Sequence, residues 1–495
     1  MNRIVINADL GEQTISRHLY GHFAEHLGRC IYDGLWVGED SPVPNVRGIR
    51  ADIVAALRKI KVPNLRWPGG CFADAYHWRD GIGPKAQRPH RINQFWGEVI
   101  ETNAFGTHEF LDLCALLECE PYICGNVGSG TVQEMRDWVE YLTASGESAL
   151  AAERRANGRA EPWPVKFWGV GNENWGCGGY MRPEYYVDLY RRFQTFLRSY
   201  NGQPLYKIAS GMGGSDVRST EVLMRDGGCE RDGHSFDAIS LHYYCFFPQT
   251  DFSATQFGED QWFKVLQAAL AIEPLLARHI AIMDRYDPAR KVGMIVDEWG
   301  AWYPVEPGTP SYELYQQNSL CDALVAGVTL HVFHEHAERV RMANIAQTVN
   351  VLQAMILTEG EQMLLTPTYH VFELFTVHHD ATRLPLHLDA PSYTFGDESL
   401  PAVSASASRN EAGQVHVSLC NLDPHADLDL RIELRGMTAS GVSGRVLTAD
   451  RINAHNTFAQ PETVKPAPFD GARLEQGALA VRLPAKSVVV LAVEN

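Results

Sequence analysis

Hydrophobic and polar positions follow two alternating periods along most of the chain. Short apolar runs typical of buried strands alternate with segments whose apolar residues recur every three to four positions, as in amphipathic helices. The pattern predicts eight strands: Leu19–Ala24, Asn64–Trp67, Tyr122–Asn126, Val165–Gly171, Lys207–Ser210, Ala238–Tyr243, Gly293–Glu298 and Arg341–Ile345. Eight strands alternating with helices predict a (β/α)8 TIM barrel. The alternative is an open doubly wound sheet, which usually has a glycine-rich phosphate loop after its first strand, and this chain has none there.

Some of the predicted helices carry recognisable start signals. Thr131 and Glu134 have the spacing of a capping box, and Pro183 stands where proline favours the start of a helix. The mostly apolar segment Leu314–His331 predicts a long helix. These signals place helices between the predicted strands, as the barrel requires.

The pattern changes near residue 380. From Ala381 onward the sequence has short alternating runs separated by turn residues, which predicts a β-sandwich of jelly-roll type. The predicted strands there are Gln414–Leu419, Asp427–Leu434, Ser443–Leu447, Leu479–Leu483 and Ser487–Val493. Met1–Leu10 also alternates, and we expect it to add a strand to the sandwich because an isolated strand is unstable. The predicted domains are therefore a barrel over residues 11–380 and a sandwich over residues 381–495 plus 1–10.

Two glutamates stand at the ends of apolar strands, beside aromatic residues and glycine. Glu173 lies in Gly171-Asn-Glu-Asn-Trp175 after the fourth strand, and Glu298 lies in Val296-Asp-Glu-Trp-Gly300 at the end of the seventh. A single glutamate in such a position is usually a solvated or ion-paired loop residue. In a barrel, however, the carboxyl ends of all strands converge on one site, so two carboxylates can face each other across a sugar. A separation of about 5 Å would give retention of configuration, and about 6.5–9.5 Å would give inversion.

Composition and net charge indicate which kinds of molecule the protein can bind. The 495 residues carry a formal net charge of −17, which disfavours nucleic acid and anionic membranes and suits a neutral substrate. No apolar run reaches the roughly 18 residues of a membrane span, and the N-terminus lacks the apolar segment of a signal peptide. Ten cysteines are few for this length, and several lie in apolar runs where buried, reduced thiols are common. We therefore expect a cytoplasmic protein.

With these motifs in order, the chain resembles the α-L-arabinofuranosidases of glycoside hydrolase family 51 over nearly its whole length. The matching segments include Gly21–Arg29, Arg66–Phe72, His77–Pro84, Gly125–Gly130, Gly171–Trp175, Leu241–Tyr244, Val296–Gly300 and Ala346–Asn350. The resemblance implies that Glu173 is the general acid/base and Glu298 the nucleophile of a retaining mechanism. It also implies that Asn172 hydrogen-bonds the 2-hydroxyl of the sugar.

The resemblance extends to the rest of the substrate pocket. It implies that Glu25 and Gln347 bind the furanose hydroxyls, that Tyr244 orients Glu298, and that His242 lies beside the nucleophile. It further implies that the pocket is lined by Asn126 and Cys71 and walled by Trp96 and Trp302. Some relatives have asparagine at the position of Cys71. Each of these residues could instead be an ordinary core or loop residue.

The implied enzyme removes terminal arabinofuranose from short oligosaccharides, needs no cofactor or metal, and forms an oligomer, since relatives are often hexamers. Two other functions stay open: another retaining barrel glycosidase, such as a β-xylosidase or an endoglucanase, and a non-catalytic sugar-binding protein.

A metal site is the competing chemical interpretation of the histidines. His331, His334 and His336, with His378 and His379 later in the chain, have a ligand-like spacing but do not form a His-Glu-x-x-His motif. Histidines near the end of a helix also suit the helix dipole. Cys114, Cys119 and Cys124 lack the close spacing of zinc ligands, so we interpret them as core residues.

Overall fold

Eight parallel strands close a barrel in the computed structural model, which describes residues 2–11, 13–211, 213–229, 233–249 and 251–494. Each strand is hydrogen-bonded to the next along the chain, and the eighth pairs with the first. The strands are β1 Gly21–Phe23, β2 Asn64–Trp67, β3 Glu120–Gly125, β4 Phe167–Val170, β5 Tyr206–Ala209, β6 Ala238–Phe246, β7 Gly293–Trp302 and β8 Val340–Ala346. All eight overlap the predicted strands, so the barrel is confirmed and the open sheet is wrong.

Strands β6 and β7 run past their predicted ends, to Phe246 and Trp302, and their pairing is irregular where the site lies. The register shifts between Ser240 and His242 on β6, and between Val296 and Trp299 on the β7–β8 side. In a regular strand, successive side chains point to opposite faces. Because the register slips at this point, Asp297 and Glu298 both make buried contacts inside the barrel.

Helices cover the outside of the barrel. They are α1 Ala51–Lys59, α2 Thr107–Leu117, α3 Val132–Thr143, α4 Ala149–Ala156, α5 Pro183–Phe196, α6 Val217–Asp226, α7 Glu259–Leu270, α8 Ile272–Tyr286, α9 Leu320–Glu335 and α10 Pro367–Phe375. Short 3-10 turns span Arg17–Tyr20, Cys71–Ala75, Trp78–Gly81, Lys85–Gln87, Ser311–Glu313 and Thr376–His378. Small strand pairs lie at Asn45–Val46 with Ile49–Arg50, Arg91–Ile92 with Ile100–Glu101, Gly228–Cys229 with Gly233–His234, and Ile356–Glu359 with Gln362–Leu365.

Both helices predicted from start signals are confirmed, whereas the helix predicted from its apolar run begins later than expected. Thr131 caps α3 by accepting from the backbone of Glu134, and Pro183 opens α5. The long apolar helix does not begin at Leu314. It begins at Leu320, because Ser319 and Asp322 form a capping box there, and it continues to Glu335.

Helices α7 and α8 bear on the expectation that no apolar segment is long enough to span a membrane. Together Glu259–Tyr286 is long and apolar enough to cross a membrane by length and composition. The helices break at Ala271, and their large apolar residues, such as Trp262 and Leu276, are buried in the core. Packing in the core therefore accounts for these large apolar residues.

Beyond the barrel the chain forms two mostly antiparallel sheets, as the alternating pattern predicted. One sheet has the order Leu386–Asp389, Asn2–Asn7, Leu428–Arg435, Ala478–Leu483 and Ala472–Glu475. The other has the order Thr382–Arg383, Val403–Arg409, Val415–Asn421, Ser487–Glu494, Gly441–Leu447 and Ala467–Pro468. A hairpin joins Ser392–Phe395 with Glu398–Pro401. The N-terminal strand pairs within the first sheet, as expected. The domain limits at residues 10/11 and 380/381 stay a prediction.

The histidine cluster belongs to the interface between the barrel helices and the second sheet. Three buried histidines use both ring nitrogens on hydroxyl groups: His331 on Ser404 and Ser418, His334 on Tyr20 and Ser406, and His378 on Ser408 and Ser418. His336 lies at the end of α9 and contacts Glu273. The spacing that resembled a metal site is therefore explained by alternate serines of Val403–Arg409 facing the helices.

This interface makes the stability of the protein sensitive to acid. Burial lowers the pKa of His331 to about 3, so the folded protein holds this ring neutral. The unfolded chain takes up a proton near pH 6.5, so the stabilisation is present above that pH and is lost as the pH falls from there toward 3. The expected loss is about 1.4 kcal/mol per pH unit for each such histidine, or about 2 kcal/mol at about pH 5.

We expect His331→Gln to remove this contribution, because glutamine does not titrate. Urea unfolding of both proteins at about pH 7 and about pH 5 should show a smaller loss in the variant, by about 2 kcal/mol. Equal losses in the two proteins would contradict the assignment.

Candidate active site

A cavity of about 490 Å³ opens at the carboxyl end of the barrel strands. Nine of the eleven residues predicted for the site line it: Glu25, Cys71, Trp96, Glu173, His242, Tyr244, Glu298, Trp302 and Gln347. They come from strand ends and loops that are far apart in the sequence. The closed barrel brings them together, since all eight strands end at this rim.

The two glutamates face each other in the cavity. Glu173 lies three residues beyond the end of β4, with a backbone φ of +36°, and its side chain is 18% exposed. Glu298 lies within β7 and is more deeply buried. A carboxylate oxygen of each lies within 4.8 Å of the other. This separation matches the roughly 5–5.5 Å of retaining glycosidases and leaves too little room for the water molecule of an inverting pair.

Glu298 is held by two donors. Arg66 Nη1 donates to Oε1 at 2.9 Å, and the hydroxyl of Tyr244 donates to Oε2 at 2.8 Å. Both donors are attached to barrel strands, β2 and β6, so the carboxylate is fixed from two sides. Such charge-assisted hydrogen bonds hold the carboxylate in a single orientation.

His242 lies between the carboxylates and contacts three of them. Its Nδ1 is 2.9 Å from Glu173 Oε1 and 3.5 Å from Glu298 Oε2, and its Nε2 is 3.2 Å from Asp297 Oδ1. Burial by itself would lower the pKa of His242, but the neighbouring carboxylates, Glu298 foremost, raise it to about 10. The ring is therefore an imidazolium at neutral pH. The resemblance placed His242 beside the nucleophile, and the ring does lie 3.5 Å from Glu298, although its shorter contact is with Glu173.

Asp297 is a buried carboxylate that contacts both His242 and Arg66. Burial raises its pKa, but Arg66, His242 and Tyr122 outweigh that effect, so the pKa of the carboxyl stays below its ordinary value. Tyr122 donates to Oδ2 at 2.7 Å. Arg66 thus forms ion pairs with both Glu298 and Asp297, and its positive charge partly offsets their negative charges.

Glu25 is the third carboxylate of the cavity and is almost fully buried. Its Oε1 accepts from the backbone of Gly70 and Phe72 and from Trp96 Nε1, while Gln347 Nε2 donates to Oε2 at 3.2 Å. Burial, then the charge of Glu298, raises the pKa of Glu25 to about 7. Trp96 is therefore both a wall of the cavity and a support for this carboxylate.

Two predicted residues do not line the cavity. The side-chain nitrogen of Asn126 donates to the backbone of Tyr76 and to the Ser129 hydroxyl, and its oxygen accepts from the backbone of Ser129 and Gly130. Asn126 therefore stabilises a turn and does not line the subsite as expected. Asn172 Oδ1 accepts from Arg66 Nη2 at 2.7 Å, and its Nδ2 lies 3.8 Å from the sulfur of Cys177. Its hydrogen bond to the sugar 2-hydroxyl stays a prediction, and its oxygen is already used by Arg66.

Cys71 lines the cavity, but as half of a disulfide with Cys177. The expectation of reduced, buried thiols did not foresee this pair. The seven other cysteines described with their side chains are free, and all but Cys119 are buried. A separation of 106 residues gives no local signal for the pairing.

Aromatic rings continue from the nucleophile to the rim. Tyr244 and Phe246 each meet Trp302 edge to face, with centroids 5.1 and 5.2 Å apart, and Phe246 is half exposed. Trp175 also lines the cavity, beside Gly213. Sequence reasoning missed Phe246 and Trp175, as well as Arg66, Asp297 and Cys177, although all five lie within or beside the motifs that carried the resemblance.

Comparison with known proteins agrees with this geometry. Two family models match the chain: an "Alpha-L-arabinofuranosidase 1 domain" over residues 56–257 and an "Alpha-L-arabinofuranosidase C-terminal domain" over residues 297–487. An "Intracellular exo-alpha-L-arabinofuranosidase" from Bacteroides ovatus is 51% identical over 99% of this chain and 95% of that protein.

Solved structures give the same result. The crystal structure of a GH51 arabinofuranosidase from Xanthomonas axonopodis pv. citri has a TM-score of 0.97 and 51% identity, covering 100% of this chain and 99% of that one. An α-L-arabinofuranosidase from Thermotoga maritima, solved as an arabinose complex, has a TM-score of 0.88 and 33% identity, with both chains fully covered. The chain therefore belongs to the α-L-arabinofuranosidases of glycoside hydrolase family 51.

Proposed function

We propose that this protein is an exo-acting, retaining α-L-arabinofuranosidase in which Glu173 is the general acid/base and Glu298 the nucleophile. The observation that carries the assignment is the approach of the two carboxylates to within 4.8 Å in one cavity. The family membership supports the furanose as the sugar, and the mechanism follows from the geometry.

In the first step, a carboxylate oxygen of Glu298 attacks the anomeric carbon while Glu173 donates its proton to the glycosidic oxygen. The bond between the anomeric carbon and that oxygen breaks, the aglycone leaves as an alcohol, and an arabinosyl ester forms on Glu298. Arg66 and Tyr244 hold Glu298 in place for the attack. Because they are fixed before the substrate arrives, little reorganisation is needed at the moment of reaction.

In the second step, Glu173 removes a proton from a water molecule, which attacks the ester carbon. Arabinose leaves with its configuration retained, Glu298 is again a carboxylate, and Glu173 is again protonated. His242 contacts both glutamates, so it is suited to stabilise whichever of them carries the negative charge.

The cavity suits one terminal sugar. Glu25 and Gln347 offer polar atoms to the furanose hydroxyls, and Trp96 provides an apolar wall. The contact of Asn172 with the 2-hydroxyl is supported by family membership alone, since Asn172 adjoins Glu173 in the chain but does not line the cavity. Trp302 and Phe246 lie toward the solvent, where they would stack against the aglycone. The substrates would be arabino-oligosaccharides or arabinoxylo-oligosaccharides.

A panel of 4-nitrophenyl glycosides tests this function. We expect kcat/KM for the α-L-arabinofuranoside to exceed that for the β-D-xylopyranoside and the β-D-glucopyranoside by about 10²-fold or more, since buried polar groups left unpaired by the wrong sugar are costly. Free arabinose should be the only early product from an arabino-oligosaccharide. Preference for a pyranoside, or internal cleavage, would contradict the proposal.

Tyr244→Phe tests the support of the nucleophile. Loss of a hydrogen bond to a charged group costs about 1.5–3 kcal/mol, so we expect kcat to fall about 10- to 100-fold with a smaller change in KM. The matched control is Tyr243→Phe, because the hydroxyl of Tyr243 donates to the backbone of Ala268 and not to the site. Steady-state kinetics on both variants measure the effect. If Tyr243→Phe loses as much activity as Tyr244→Phe, the role of Tyr244 in supporting the nucleophile is contradicted.

Two further properties are part of the proposal. The name of the Bacteroides ovatus relative, which is called intracellular, supports the cytoplasm. A homo-oligomer, with a hexamer as the specific proposal, is supported by an exposed apolar cross-strand pair, Ile92 and Ile100, on the hairpin that carries Trp96. Light scattering on the purified protein measures the assembly.

A further inference from the structure

The Cys71–Cys177 disulfide lies directly against the proposed acid/base. It joins the turn after β2 to the loop after β4, and both sulfurs approach Oε2 of Glu173, Cys177 at 3.3 Å and Cys71 at 3.9 Å. The proposed mechanism assigns no role to this pair. The hydrolytic mechanism alone therefore does not explain why a disulfide lies beside the reacting carboxylates.

The pair is placed where a reductant can reach it. Both cysteines are partly exposed, and Cys71 lines the open cavity. Disulfides in reducing compartments are uncommon and are usually catalytic or redox-sensing. If the protein works in the cytoplasm, as proposed above, the reduced dithiol is a form that the cell would produce.

The reduced pair has the geometry of a metal site. With metal–sulfur bonds of about 2.3 Å and metal–oxygen bonds of about 2.1 Å, a tetrahedral ion places its sulfur and oxygen ligands about 3.6 Å apart. The measured sulfur–oxygen distances of 3.3 and 3.9 Å lie on either side of this value. The Cα atoms of the two cysteines are 5.5 Å apart, so the sulfurs can separate by side-chain rotation once the bond is broken.

The ligands themselves supply the charge that a divalent cation needs, since two thiolates and the Glu173 carboxylate carry three negative charges against the one positive charge of His242. His242 contacts the other oxygen of Glu173 and would hold the carboxylate in a fixed orientation, as neighbouring groups do for metal ligands. Two thiolates and one carboxylate would leave the fourth position of the ion open to water from the cavity. Thiolate ligands select soft or borderline ions, such as Zn²⁺, over Mg²⁺ or Ca²⁺.

We propose that reduction of the Cys71–Cys177 disulfide creates an inhibitory binding site for a thiophilic divalent cation, with Cys71, Cys177 and Glu173 as ligands. The inference rests on the proposed role of Glu173 for its effect on catalysis, but the binding itself does not depend on that role.

The chemistry has two balanced steps. Two molecules of a small thiol, or one dithiol, reduce the protein disulfide to two thiols and are themselves oxidised to a disulfide. The two protein thiols then bind Zn²⁺ as thiolates and release two protons to the solvent. Glu173 coordinates the ion as a carboxylate, so it can neither donate nor accept a proton while the ion is bound.

The first experiment compares the oxidised and the reduced full-length protein, each freed of metal and of excess reductant. Thiol counting verifies the two states, which should differ by two thiols. Zn²⁺ should lower the turnover of reduced enzyme by about 10²-fold or more, the scale of general acid–base catalysis, and EDTA should restore it. The oxidised enzyme should keep its activity at the same Zn²⁺ concentration. Equal inhibition of both states would overturn the proposal, because the ion would then act at Glu173, His242 and Glu298 without the thiols.

The second experiment detects binding without using activity. Co²⁺ added to the reduced protein should give a near-ultraviolet thiolate-to-cobalt charge-transfer band with a stoichiometry of one ion per chain. Cys177→Ser should lose the band, and Glu173→Gln, which keeps both thiols, should bind Co²⁺ more weakly. The matched control, Cys119→Ser, removes another partly exposed cysteine and should keep the band.

The two experiments separate the possible failures. If reduced protein shows no thiolate–cobalt band, the site does not exist and the inference is wrong. If the band forms but Zn²⁺ does not inhibit, the inhibitory part is wrong and the assignment of Glu173 must be revisited. Should Cys177→Ser unfold, the oxidised wild-type protein still provides the comparison without thiols.

Discussion

Glu298→Ala should lower kcat by about 10⁴–10⁶-fold, the scale seen when a covalent nucleophile is removed. Without this carboxylate no arabinosyl ester can form, and the charge that stabilises the oxocarbenium-like transition state is also lost. The loss should be the same for activated aryl substrates and natural oligosaccharides, because both need the nucleophile. Steady-state assays with 4-nitrophenyl α-L-arabinofuranoside measure it.

Azide identifies the role of Glu298 beyond the loss of activity. In Glu298→Ala the small anion can occupy the space of the carboxylate and attack the anomeric carbon directly, giving the β-arabinofuranosyl azide. The control is Glu39→Ala, an exposed glutamate paired with Lys85, which should keep full activity. Because Arg66 loses a partner in Glu298→Ala, thermal unfolding should be compared with the wild type. An active, folded Glu298→Ala protein would remove the basis of the mechanism.

Glu173→Ala should give a different pattern, one that depends on the leaving group. With a poor leaving group the first step needs the acid, and we expect a loss of about 10²–10⁴-fold. With a dinitrophenyl arabinofuranoside the first step needs no acid and should stay fast. The second step lacks its base, so the glycosyl ester on Glu298 should accumulate and appear as a burst of dinitrophenol followed by slow turnover.

The products of azide rescue provide the sharpest contrast between the two glutamates. In Glu173→Ala, azide attacks the ester on Glu298, and the two inversions give the α-arabinofuranosyl azide, the opposite anomer to that from Glu298→Ala. NMR distinguishes the two anomers. If Glu173→Ala loses equal rate on good and poor leaving groups, Glu173 is not the acid/base.

The barrel could be predicted because its signal is local. Parallel strands buried on both faces appear as short apolar runs, and amphipathic helices appear between them. β2 was predicted at its observed limits, and the other seven strands within a few residues. The start of α9 was missed because the apolar run begins before the residues that cap the helix, Ser319 and Asp322.

The chemistry of the site could be predicted only in part. Glu173 and Glu298 are marked by strand ends and by their flanking residues. Tyr244 and Glu25 directly follow the predicted sixth and first strands, which places them on the same rim. Asn126 lies at a strand end too, yet its amide is used by its own loop. A motif locates a residue along the chain, but the direction of its side chain depends on the hydrogen bonds available after folding.

The sequence by itself determined the family, the eight strands and the two glutamates, because local periodicity and motif order are written along the chain. The tertiary structure decided what those residues contact. A slip in strand register brings Asp297 to the same side as Glu298, which lets His242 connect it to Glu173. Closure of the barrel brings Cys71 to Cys177 across 106 residues. Such contacts join segments that carry no local trace of one another, since they arise from the packing of the whole barrel.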